Sequence, residues 1–203
     1  MLKLQAEANV PTDYGTFKMM AFSEDGNDWM PQIALIAEGT DMSKPVNVRF
    51  HSECMTGEVF HSRKCECGQQ LDYAMQYMQQ HGGIIIYLRQ EGRNIGLINK
   101  LKAYALQEKG LDTVEANLQL GLPADDRNFL SAVEILKILH VKAVNLLTNN
   151  PEKIRYLEEG GLVLNSRVPL VIDPTEHSRA YLKVKEQYFG HLLSANNEKN
   201  PAN

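Results

Sequence analysis

At 203 residues with 43% hydrophobic side chains, the chain can bury one substantial core, so a single domain is the expectation. A net charge of −4 excludes a global field that would draw in a polyanion such as nucleic acid, so any anionic substrate must be held locally. Three cysteines, an odd number, argue against a disulfide framework; with no signal peptide at the start and no apolar run longer than residues 84–88, a soluble protein of the reducing cytoplasm is expected, without membrane partners.

Residues 1–50 read as strands and turns. Leu2, Leu4 and Ala6 alternate with polar residues, Pro11 and Gly15 bracket a turn, and residues 17–22, 33–37 and 46–50 are short β-type runs. They predict an antiparallel β layer whose last strand delivers Glu53 and Cys54 to its edge, where loops carry function. The stretch 54–68, CMTGEVFHSRKCECG, then holds all three cysteines at spacing C-x10-C-x-C. Three thiolates suit zinc, and zinc bound by three protein ligands keeps a fourth position open, whereas a structural zinc site needs four closed ligands. His51 or His61 could supply that fourth ligand, and three buried, metal-free thiols are the plainer alternative. Spacing alone leaves all three readings open.

After Gly68, the residues Leu71, Ala74, Met75 and Met78 follow helical spacing, and His81-Gly82-Gly83 ends that helix. Residues 84–88, IIIYL, predict a strand buried on both faces. The strand runs into RQEGRNIG, residues 89–96, and then into a helix with Leu97, Leu101, Tyr104 and Ala105 on one face. A glycine loop between strand and helix suits an anion, and Arg89 and Arg93 add forks that match phosphate; a plain helix entry with solvated arginines fits equally well. Residues 112–128 read as a long exposed loop, after which Asp125, Asp126 and Arg127 open a helix carrying Phe129, Val133, Leu136 and Leu139. An acid at that place reads first as a helix cap. Residues 143–147 predict another apolar strand, followed by a helix begun by Asn150 as cap and Pro151 in the first turn; Thr148 and Lys153 could clasp a phosphate there. Residues 162–168 read as a further strand, 178–189 as a last helix, and 194–203 as a polar, disordered tail.

Several of these segments together resemble the GTP cyclohydrolase II family: RFHSECMTGEVF, KCECGQQL, RQEGRNIGLINKLKAYALQ, DTVEAN, LGLPADDRNF, LLTNNPEK and RVPL. The likeness runs from about Leu4 to Leu193. It implies an α+β fold, a mixed sheet domain with flanking helices, forming one catalytic domain over residues 1–193. It further implies a zinc hydrolase acting on GTP, with one Zn²⁺ per chain, Mg²⁺ accompanying the phosphates, and a homodimer. Carried over by position, the resemblance makes Cys54, Cys65 and Cys67 the zinc ligands. It places Arg49, His51, Ser52, Glu53, Gln70, Glu91, Gly92, Arg93, Thr113, Thr148 and Lys153 around GTP. Asp125 is similar to the family's proton acceptor, Arg127 to its assigned nucleophile toward the α-phosphate, and Tyr104 to a tyrosine at the reacting centre. Three positions depart from the pattern: Lys64 replaces an arginine, Glu66 an aspartate, and Leu122 a phenylalanine.

The implied reaction opens the guanine imidazole ring, releases C8 as formate, and frees pyrophosphate in the first step of riboflavin biosynthesis. Three thiolates against Zn²⁺ leave a net charge of about −1, so the metal is a weaker acid than at a three-histidine site and a neighbouring helper is expected. Glu91 and Tyr104 are the candidates. A covalent role for Arg127 sits uneasily with a guanidinium that stays charged in proteins.

Overall fold

The computed structural model describes residues 1–170 and Ile172; the helix expected over 178–189 and the polar tail from 194 lie outside the described residues. The elements, in chain order, are β1 (Lys3–Thr12), β2 (Gly15–Ser23), β3 (Gln32–Ala37), β4 (Val46–Ser52), α1 (Met55–Glu58), α2 (Cys67–His81) and β5 (Ile84–Leu88). There follow α3 (Gly96–Gln107), α4 (Thr113–Gln119), α5 (Leu130–Ile138), β6 (Ala143–Leu147), α6 (Pro151–Glu159) and β7 (Val163–Val168). The strands form one mixed sheet in the order β1-β2-β3-β5-β4-β6-β7. This is the expected α+β arrangement of a sheet with flanking helices.

The sheet is antiparallel from β1 through β3 to β5, but β4 pairs parallel with both β5 and β6. The expectation that an antiparallel layer leads directly into the cysteines is therefore corrected: β4 is separated from β3 by β5 and belongs to the parallel half. A parallel neighbour needs a crossover connection, and α1 with α2 supplies it between β4 and β5. Ligand sites in open sheets gather outside the carboxyl ends of parallel strands, and there β4 and β5 release Glu53 and Arg89.

Strand alternation divides the sheet's two faces. Val46, Val48 and Phe50 of β4, with Ile84, Ile86 and Leu88 of β5, pack against Phe129, Val133, Ile135 and Leu136 around α5. Ile85 turns the other way, into a smaller cluster with Phe17, Leu35, Ala74 and Met78 beneath α2. The odd-numbered residues of β4 follow Ile85 and are polar: Asn47 donates to the carbonyl of Gly82, Arg49 to Gln70 of α2, and His51 meets Glu58 of α1. One strand thus serves the core with one face and the site with the other.

Two helices depart from expectation. Residues 113–119 form α4 where an exposed loop was expected, with Val114, Ala116 and Asn117 buried. The Asp112 carboxylate accepts from the amides of Val114 and Glu115, and Glu115 reaches back to the Asp112 amide, a capping box that closes both ends of the first turn. On α3 the buried residues are Lys100 and Ala103, whereas Leu101 is 51% exposed. The helix turns its cationic face inward because Lys100 finds Glu91 and Cys54 there, an attraction the apolar spacing does not encode.

Candidate functional site

The cysteine loop is built by glycine at two points of close approach. A Cβ at Gly57 of α1 would stand 2.8 Å from Cys65 Sγ and 3.4 Å from Cys54 Sγ, and one at Gly68 of α2 only 2.5 Å from the Gly57 carbonyl oxygen. Only hydrogen fits at either place, so α1 lies directly on the start of α2. Cys54 is the N-cap of α1 and Cys67 is the first residue of α2.

Cys54 Sγ lies 3.6 Å from Cys65 Sγ, and all three sulfurs lie within 4.8 Å of one another. Sulfurs sharing one tetrahedral zinc are about 3.8 Å apart for a Zn–S bond of roughly 2.3 Å, so the donor set fits that ion. Among the described residues no histidine or carboxylate joins the group. His51 is engaged with Glu58, and His61 is exposed in a left-handed turn. A closed site completed by either histidine is excluded by this geometry. Hydrogen bonds from Cys65 and Cys67 draw the Cys54 thiol well down, with Lys100 assisting, while the same sharing pushes Cys67 up.

The sulfurs open into a cavity of about 400 Å³. Of the residues the sequence singled out, Ser52, Glu53, Cys54, Cys65, Cys67, Glu91, Gly92, Arg93, Tyr104, Thr113 and Arg127 line it. The glycine loop reaches the cavity through three consecutive left-handed residues, Gly92, Arg93 and Asn94, with φ of 63°, 61° and 70°. Asn94 Nδ2 donates to Asp126 Oδ2 at 3.0 Å and the Asp126 amide to the Arg93 carbonyl at 3.2 Å, so this loop and the one before α5 are latched together. Within the second loop Asp125 does not cap α5. Its carboxylate accepts from the Arg127 amide at 3.0 Å and from Arg127 Nε at 2.9 Å, and it also pairs with Arg127 Nη2. Burial raises the Asp125 pKa, but the Arg127 bonds and charge outweigh it and hold the carboxyl below its ordinary range.

Arg49, His51, Gln70, Asp125, Thr148 and Lys153 stand outside the cavity wall. Arg49 is buried, donates to the Leu147 carbonyl and to Gln70, and is pushed down by burial to about 10. Thr148 is fully buried and binds within its own turn, accepting from the Asn150 amide. Lys153 donates to the Phe50 carbonyl at 2.6 Å. Asn150 caps α6 as expected.

Lys100 is a site residue that neither the motif spacing nor the family resemblance singled out. Its Nζ lies 3.1 Å from Cys54 Sγ and 2.8 Å from Glu91 Oε1, while the other Glu91 oxygen accepts from the Met55 amide. Burial would lower the Lys100 pKa, but Cys54 and Glu91 raise it above the ordinary lysine value. With a divalent ion on three thiolates, this cation would offset the negative charge left over. Its spacing of four from Tyr104 puts both on one helix face, a signal that was present in the sequence. Lys64, one of the departures from the family pattern, lies over the Tyr104 ring at 4.7 Å and pairs with Glu108 at 3.1 Å.

The family model described as GTP cyclohydrolase II matches residues 3–169. The riboflavin biosynthesis protein RibBA of Staphylococcus epidermidis is 47% identical over 192 residues, covering 95% of this chain and 48% of that protein, so the chain spans about half the length of this relative. A GTP cyclohydrolase-2 of Haemophilus influenzae is 45% identical over 97% of this chain and 92% of its own length. One from Picrophilus torridus is 44% identical over 95% of this chain and 100% of its own. With a matching family model over most of its length and relatives at this identity, the chain belongs to the GTP cyclohydrolase II family.

Proposed function

We propose that this protein hydrolyses GTP. In this reading it opens the guanine imidazole ring, releases C8 as formate and pyrophosphate from the α-phosphorus, and leaves 2,5-diamino-6-(5-phosphoribosylamino)pyrimidin-4(3H)-one for riboflavin biosynthesis. The observation that carries the reading is a single cavity lined by the three-sulfur group, Tyr104, Arg93 and Arg127. A ring-opening centre and cations for a triphosphate thereby face the same space. When bound by Cys54, Cys65 and Cys67, zinc supplies Lewis acidity beside the purine.

The side chains divide the remaining work. Burial raises the Tyr104 pKa, so its hydroxyl keeps its proton at neutral pH and can donate it to a ring nitrogen. Glu91 has both oxygens committed, to Lys100 and to the Met55 amide, so it orients rather than abstracts. Arg93 and Arg127 neutralise charge that develops on the departing pyrophosphate. Arg127 acts here as a cation: its fork on Asp125 stabilises the charged guanidinium and opposes its use as a nucleophile. Ser52, Glu53, Gly92 and Thr113 line the same space and serve the nucleotide, while Arg49, His51, Gln70, Thr148 and Lys153 support it from behind.

The same reading includes Mg²⁺ with the phosphates, a homodimer, one catalytic domain over residues 1–193, and a cytoplasmic setting in which the thiols stay reduced. Among the described residues no helix is long and apolar enough to cross a membrane. Incubating zinc-loaded protein with GTP and weighing the products by mass spectrometry tests the reaction. Formate, pyrophosphate and the diaminopyrimidine should appear in equal amounts. A formylated product that goes no further, or bound GTP without formate, would overturn it.

A further inference from the structure

Glu58 has no part in the proposed reaction, yet its side chain is only 7% exposed and both oxygens are engaged. One lies 2.8 Å from His51 Nε2 and the other accepts from the Tyr87 hydroxyl at 2.6 Å. The His51 and Tyr87 rings stack on each other at 5.7 Å between centroids. His51 belongs to β4, Tyr87 to β5 and Glu58 to α1, so the carboxylate bolts a helix to two adjacent parallel strands. An apolar side chain could fill such a space without the desolvation that a carboxylate suffers. What the carboxylate adds is direction, since two hydrogen bonds fix both where α1 sits and how it is turned.

That direction matters because of what α1 carries. It has four residues, is capped by Cys54, and is too short to hold itself together by helical cooperativity. Its Gly57 forms the wall against which the sulfurs pack. The position of α1 over the sheet therefore sets the distance from Cys54 to the other two cysteines, which come from a separate part of the loop.

We infer that Glu58, His51 and Tyr87 form a buried strut that positions α1, and through it Cys54 and Gly57, for metal capture. The three are positioning residues that touch neither the metal nor the nucleotide, and His51 thereby has a different task from direct contact with GTP. The inference rests on the zinc reading of the sulfur group.

The test compares zinc-loaded wild type with Glu58→Ala, Glu58→Gln and Tyr87→Phe, measuring zinc release to a chromogenic chelator. In parallel, the cobalt(II)-substituted proteins report ligand geometry through their thiolate-to-cobalt charge-transfer bands. Glu58→Ala should release zinc about 10–100-fold faster, the loss typical when a supporting contact behind metal ligands is removed. Glu58→Gln and Tyr87→Phe should do so by smaller factors. The Glu58→Ala/Tyr87→Phe double variant should be no faster than Glu58→Ala alone, because both changes break one unit. The cobalt bands should shift in each variant. A role in general stability alone would lower melting temperatures while leaving release rates and bands per bound cobalt at wild-type values, and that result overturns the strut. Where Glu58→Ala fails to fold, the two conservative variants decide, and wild-type behaviour in both is again a refutation. A wild-type protein that takes up neither zinc nor cobalt would sink the zinc reading and the strut together; a metal-loaded wild type with unchanged variants sinks the strut alone.

Discussion

At the scale of single residues, the site depends on groups whose value lies in what surrounds them. Gly57 has an ordinary helical backbone, so alanine there would favour the helix by roughly 1 kcal/mol on propensity alone. Only the crowding against Cys65 Sγ opposes it. Gly57→Ala should therefore fold normally by circular dichroism yet bind zinc about 10–100-fold more weakly in competition with a chelator. Asp125 supports a pH prediction. Its folded-state pKa is depressed, so its pairing with Arg127 contributes stability above the unfolded carboxyl value of about 4 and loses that contribution as pH falls through the depressed value. Asp125→Asn should be less stable than wild type in urea at about pH 6, and the gap should close toward about pH 2. A gap that stays constant across that range would show that the carboxylate's charge contributes nothing.

Among the elements, α4 and α3 show how local signals and distant partners divide the decision. The capping box at Asp112 and Glu115 is local, within hydrogen-bond reach in sequence, and it starts a helix that carries Thr113 to the cavity. Asp112→Ala should cost about 1 kcal/mol and lower the melting temperature by about 2–4 °C for a chain of this size. It should also raise the KM for GTP, since the end of the helix that frays is the end facing the cavity. The orientation of α3 is the opposite case. Ile98 and Leu101 are 73% and 51% exposed while Lys100 is buried, because the ion pair with Glu91 and the contact with Cys54 pull the cationic face inward.

For the whole molecule, the cores and the sulfur group are separable. Both hydrophobic clusters are built from strands and from α2, α5 and α6, and neither includes a cysteine. Chelating the metal should accordingly leave the sheet intact. Hydrogen exchange after treatment with a zinc chelator should quicken for amides of residues 54–68, while β4, β5 and β6 keep their protection. Loss of protection across the central strands would mean that the ion holds the fold and not merely the loop.

Much of the architecture was written locally. The alternation and apolar runs of β2 through β6, the glycine stop at Gly82 and the Asn150-Pro151 start of α6 are decided by neighbouring residues, so sequence alone determined them. The thiol spacing, with the segments that resemble the family, likewise named the sulfur group and most of the cavity wall. Tertiary structure decided which strands run parallel, that Asp125 binds Arg127 rather than a helix end, and that among the described residues no histidine joins the sulfur group. It alone brought Lys100 to Cys54 and Glu58 to Tyr87, pairs separated by 46 and 29 positions. The reason is range: a turn or cap forms between groups already near in the chain, whereas a buried charge is fixed by whichever opposite partner the completed fold carries to it.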